Sequence, residues 1–168
     1  AAVKEEDLIQ NLYVLSSHTQ ILCFTTKGKV FWLKVYEIPV ASRTSKGRPL
    51  VNMLNLDDDE SVSDILPVGE FSENEFVFMA TRNGTTKKTN LSLFSKKYKS
   101  GIKAINLDDD DRLIGTAITT GNQEILLASS AGKLIRFAED QVRHMGRTAR
   151  GVRGMKLKKD EKIISLMI

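Results

Sequence analysis

Short apolar runs, each closed by a glycine and followed by a more polar run, recur three times along this chain. The apolar runs are "QILCFTT" (20–26), "EFVFMAT" (75–81) and "EILLASS" (124–130), and the turns after them carry Gly28, Gly84 and Gly132. The more polar partners are "VFWLKVYEI" (30–38), "TKKTNLSLF" (86–94) and "LIRFAEDQV" (134–142). Runs of this length, rich in Val, Ile, Phe and Thr and punctuated by glycine, predict β-hairpins. Asn83-Gly84 suits a type I′ turn, whose two central residues both need positive φ. Lys27-Gly28 and Ala131-Gly132 fit a type I turn with a glycine bulge equally well. "FVFM" and "ILLA" are apolar at every position, which predicts strands covered on both faces. Leu134, Phe137, Ala138, Gln141 and Val142 also fall at helical spacing, so for 137–145 a helical turn and a strand both stand open.

The register continues beyond the hairpins. A basic segment ends in a second glycine at Gly47, Gly101 and Gly151. A polar turn comes next, "NLDDDE" (55–60), "NLDDDD" (106–111) or "KLKKDE" (156–161), then an apolar strand, "VSDILPV" (62–68), "LIGTAIT" (113–119) or "IISLMI" (163–168). The segment "EEDLIQNLYV" (5–14) matches that last strand. The chain therefore divides into units 15–68, 69–119 and 120–168, preceded by a linking strand at 5–14, and 1–168 reads as part of a longer array. The expected fold is all-β, a propeller-like array of small four-stranded antiparallel sheets stabilised by their neighbours. Edge strands at 5–14 or 162–168 would then invite self-association.

With 168 residues and 41% hydrophobic content the chain can bury a sizeable core. Cys23 is the single cysteine, which rules out an internal disulfide. There is neither an apolar run long enough to span a bilayer nor the layout of a signal peptide, so the expectation is a cytoplasmic protein with no membrane association.

A net charge of +4 is modest; its placement changes the picture more. Residues 27–48 hold six Lys/Arg and one acid, 82–103 hold seven and none, and 133–159 hold nine and two. Acids gather instead at 57–60 and 108–111, expected on the other side of each unit. In a radial array the basic segments would join into one curved positive stripe, suited to a polyanion bound through phosphate contacts and counterion release. The repeated Asn-Leu-Asp-Asp-Asp is read as a turn rather than a metal site, because the third unit places Lys158 and Lys159 there. His18 and Cys23 are read as a surface histidine and a buried cysteine, and His144 as a further phosphate contact. Trp32 and Tyr36 are read as packing residues.

The stretches "ILCFTTKGKVFWLKVYEIP", "SKGRPLVNML", "FMATRNGTTKKT" and "GVRGMKL" resemble the C-terminal DNA-wrapping domains of bacterial DNA gyrase A subunits, over essentially the whole chain. The resemblance implies a β-pinwheel, in which neighbouring blades exchange a strand; that exchange would account for the fourth linking strand. It implies a non-catalytic, sequence-independent module that binds and wraps double-stranded DNA for ATP-dependent negative supercoiling by the full enzyme. The equivalent domain of topoisomerase IV and a propeller that contacts an acidic protein are the alternatives. By matching position the DNA-contact role falls on Lys27, Lys34, Arg43, Lys46 and Arg48 in the first unit. In the second it falls on Lys87, Lys88, Lys96, Lys97, Lys99 and Lys103, and in the third on Arg136, Arg143, Arg147, Arg150 and Arg153. Implied partners are the gyrase B protein and the remainder of gyrase A, in a bacterial, nucleoid-associated setting. No cofactor or metal falls on this segment, since the parent's ATP and Mg2+ belong to other domains. The glycine-and-arginine heptapeptide on which full wrapping depends in this family is not among the 168 residues.

Overall fold

Three hairpins form where the apolar-glycine-polar pattern places them: β1 (Gln20–Thr25) with β2 (Lys29–Lys34), β4 (Phe76–Thr81) with β5 (Thr85–Asn90), and β8 (Glu124–Ser129) with β9 (Leu134–Ala138). The computed structural model describes residues 13–47 and 49–168. Its other strands are β3 (Val62–Val68), β6 (Ile102–Lys103), β7 (Leu113–Thr119), β10 (Val152–Arg153) and β11 (Ile163–Met167). The linking segment 5–14 lies almost wholly outside the described residues.

Strand order identifies the fold. The first sheet runs β3-β1-β2-β6, the second β10-β5-β4-β7 and the third β11-β8-β9, with antiparallel pairing throughout. β6 and β10 each belong in sequence to the unit after the sheet they complete. The fold is thus an all-β pinwheel. The exchanged strand is the two-residue one after the second glycine, whereas the linking strands β3, β7 and β11 stay beside the hairpins of their own units. The expectation that exchange accounts for the linking strand is corrected accordingly.

Two backbone hydrogen bonds secure each exchange. The Gly28 carbonyl accepts from Ala104 N (2.7 Å) and Ile105 N (3.2 Å), and the Gly84 carbonyl accepts from Gly154 N (2.8 Å) and Met155 N (3.3 Å). At Gly84, with φ +92°, a Cβ would stand 2.7 Å from the Met155 carbonyl oxygen, so only glycine serves both the turn and the docking. Among non-glycine described residues only Asp160 has positive φ. Asn83-Gly84 is therefore not type I′; all three hairpins turn on a glycine alone, in the bulge arrangement, which suits the position the exchanged segment needs.

Alternation along the strands explains the continuously apolar runs. Val77 and Met79 of β4 pack into a core shared with Leu22, Phe24, Trp32, Phe94 and Ile105. Phe78 and Ala80 of the same strand face a second core with Ile125, Leu127, Met155 and Ile163. The second sheet is thereby wetted on neither face, and full burial of each large side chain stabilises by about 1.5–3 kcal/mol. Directly after its hairpin each unit makes a 3-10 turn, at Val35–Glu37, Leu91–Phe94 and Glu139–Gln141, and the first unit adds another at Leu50–Asn52. The strand reading thus holds for 134–138 and the helical reading for the turn directly after it. The expected edge at 162–168 is present: β11 pairs with β8 alone and ends the third sheet, as β3 and β7 end theirs, and among the described residues β9 is a second edge that lacks the outer partner β6 and β10 give β2 and β5.

Candidate nucleic-acid interface

The basic segments are the loops that leave the 3-10 turn after each hairpin, and in the second and third units they lead to the exchanged strands β6 and β10. Gly101 admits this path: with φ +71°, a Cβ there would meet the Phe31 ring at 2.8 Å. On these loops Arg43 and Lys46, Lys96, Lys97 and Lys99, and Arg143 and Arg150 are exposed, and Arg147 is half-buried. Lys103 and Arg153, on β6 and β10, are exposed as well. Arg136 is exposed on β9, paired across the hairpin with Glu124 at 3.7 Å. Arg48 lies outside the described residues.

Contacts between units join the loops. Lys97 of the second unit reaches Glu37 of the first at 3.3 Å. The Arg147 guanidinium of the third lies 5.9 Å from the ring centre of Tyr98 in the second, and Lys96 lies 5.4 Å from the same centre. Tyr98 packs in turn on Trp32 of the first unit, with 5.9 Å between ring centres. These contacts tie the second unit's loop to the first and third units. Asn83, Thr85, Asn106, Asp108, Arg150 and Arg153 border a polar groove of about 230 Å³.

Two expected contacts are corrected. Lys87 is fully buried, and its Nζ donates to the carbonyls of Ala104 (2.7 Å) and Arg147 (2.5 Å). Lys88 is buried over the Phe76 ring, donates to the Glu139 carbonyl at 3.3 Å and faces the buried Glu139 carboxylate at 4.0 Å. Neither ammonium reaches a phosphate. Their alternation on a strand covered on both faces sends one into each seam, which local composition does not reveal. Lys34 is half-buried beside Tyr36, which holds its ammonium above the usual lysine value.

The acids stand closer to the cations than expected. Lys27 pairs with Asp59 at 2.6 Å and Asp57 at 3.2 Å, which together hold its ammonium above the usual range. Arg150 pairs with Asp108. The cause is the last acid of each turn, Glu60, Asp111 or Glu161, which is buried against its own hairpin. Glu60 accepts from the Thr25 hydroxyl (2.5 Å), Asp111 from Asn83 N (2.9 Å) and Glu161 from the Ser129 hydroxyl (2.6 Å). This docking brings the acidic turn alongside the hairpin turn, so Lys27 belongs to that face rather than to the loops.

Lys29 is a cation of this surface that the basic segments alone do not single out. It pairs in register with Lys103 across β2 and β6, so two like charges stand opposite one another at the edge of the first sheet, an arrangement that favours an anion. No local signal shows it, because Lys103 arrives from the next unit. His144 lies on the Phe76 ring, centres 5.9 Å apart. Burial pushes the Cys23 thiol up to about 12, which keeps it unreactive at neutral pH. Among the described residues no three His, Cys, Asp or Glu converge on a possible metal position, and no helix is long and apolar enough to cross a membrane.

The family model for the DNA gyrase C-terminal domain, beta-propeller, matches residues 19–69, 75–120 and 123–168. The DNA gyrase A protein of Salmonella typhimurium (strain LT2) is 53% identical over 168 residues, all of this chain and 19% of that protein. The DNA gyrase A protein of Escherichia coli (strain K12) is 48% identical over the same length, again 19% of that protein. Among solved structures, the C-terminal domain of DNA topoisomerase IV superposes with a TM-score of 0.89 at 31% identity, covering 98% of this chain and 51% of that one. The DNA gyrase A C-terminal domain superposes at 0.72 and 22% identity, covering 90% and 48%, which speaks to the fold alone.

Proposed function

Because the chain belongs to the DNA gyrase C-terminal domain family of beta-propellers, we propose that it is a non-catalytic module that binds and wraps duplex DNA without reading sequence. In the parent enzyme, with the gyrase B protein and the rest of gyrase A in a bacterial cytoplasm, it would present the wrapped segment for ATP-dependent negative supercoiling. Relatives at 48–53% identity are gyrase A proteins, which favours that parent over topoisomerase IV.

One observation carries the reading: exposed cations recur on equivalent loops of successive units, and inter-unit contacts join those loops. Bending 20–30 base pairs costs roughly 1–6 kcal/mol, so contacts must be spread along the curve to offset it. About two phosphates per unit would give a log–log salt slope of about −5. A salt-titrated mobility shift with random-sequence duplex tests this. Salt-dependent binding to every sequence is expected; binding indifferent to salt, or none at low salt, overturns the reading in favour of a protein partner.

A further inference from the structure

Lys87 occupies a position where the other two units carry Phe31 and Ile135. An apolar side chain packs there without cost, so a buried ammonium calls for a role that packing does not fill. Both its hydrogen-bond partners are backbone carbonyls, and among the described residues no acid forms an ion pair with it. Ala104, the first partner, is bonded through its own N–H to Gly28 of the first unit. Arg147, the second, lies on the basic loop of the third. That loop lacks a ladder of its own: Met145 N donates to the Lys88 carbonyl at 2.8 Å, and the Ala149 carbonyl accepts from Asn106 N at 3.1 Å. Between these two bonds the Lys87 ammonium holds the backbone, while Tyr98 lies beneath the guanidinium.

We propose that Lys87, which cannot itself touch DNA, is a positioning residue for a phosphate contact at Arg147, holding that residue's carbonyl while Tyr98 holds its side chain. The proposal rests on the DNA-binding reading. The ammonium ties the third unit's loop to the seam of the first two, so the spacing of cations from unit to unit depends on a group inside the fold.

A double-mutant cycle on DNA affinity tests it, using Lys87→Met, Arg147→Ala and the pair in this chain. Each single change is expected to reduce the log–log salt slope by about 0.9, equivalent to one phosphate. The double variant should lose no more than Arg147→Ala alone. Additive losses, or a full slope in Lys87→Met, would remove the positioning role and leave the DNA reading intact. Absence of DNA binding by the parent chain would overturn both. If Lys87→Met does not fold, Lys87→Ile, the residue the third unit carries at this position, removes the donors likewise and is read in the same cycle against the same outcomes.

Discussion

The indole N–H of Trp32 donates across the seam between the first two sheets to the carbonyl oxygen of Phe94, at 2.8 Å. Lys88, in the equivalent register of β5, makes the corresponding bond to the Glu139 carbonyl. Each of these two units thus sends one donor from its second strand into the 3-10 turn of the next. Trp32→Phe keeps most of the apolar bulk and leaves the Phe94 carbonyl unpaired, which should cost about 1–3 kcal/mol. The urea midpoint is expected to fall while the salt slope of DNA binding stays unchanged.

Exposure separates the lysines of the second unit by function. Replacing Lys96, Lys97 and Lys99 together by Glu should weaken binding equally on unrelated duplexes and remove about 0.9 from the salt slope per phosphate lost. Lys88→Met should leave that slope intact, because the ammonium it removes is buried against Glu139 and Phe76. Fluorescence anisotropy on two duplexes of different sequence checks both.

Burial, with the nearby Arg147 guanidinium, lowers Lys87 from the ordinary 10.5 to about 7. Between these values the unfolded chain binds a proton that the native chain does not, so the contribution of this group to stability rises with pH across that window and is flat below it. Urea unfolding at about pH 7 and pH 9 should show this rise, and Lys87→Met should remove it.

Glu161 shifts stability in the same direction, in the acid range. The Lys158 N–H, the Ser129 hydroxyl and Lys133 hold its carboxyl below the usual glutamate range. Its stabilisation is therefore present above the ordinary value of 4.5 and lost as pH falls through the lowered native value. Thermal melts between about pH 3 and 6 should show a smaller acid-induced fall for Glu161→Gln than for the parent.

The hairpins, the three-unit register and the covering of β4 on both faces are legible because each is written in local alternation. Lys87 and Lys88 are not: their side chains enter seams built with residues distant in sequence, and nothing in "TKKTN" distinguishes them from a solvated pair. The same holds for Lys29 and Lys103, which meet only through strand exchange. In the acidic turns the repeated aspartates are the conspicuous feature, yet the informative residue is the acid that ends each turn. It persists as Glu161 where the aspartates give way to lysines, and its burial depends on a hairpin roughly thirty residues earlier, at Ser129.

Exchange of β6 and β10 has a consequence for synthesis. A ribosome delivers β1 and β2 first, yet the strand that completes their sheet lies beyond the entire following hairpin. The newest sheet on a growing chain is therefore always unfinished, and closure trails elongation by one unit. Excision of a single unit would damage two sheets, since it removes one hairpin and the strand lent to its predecessor.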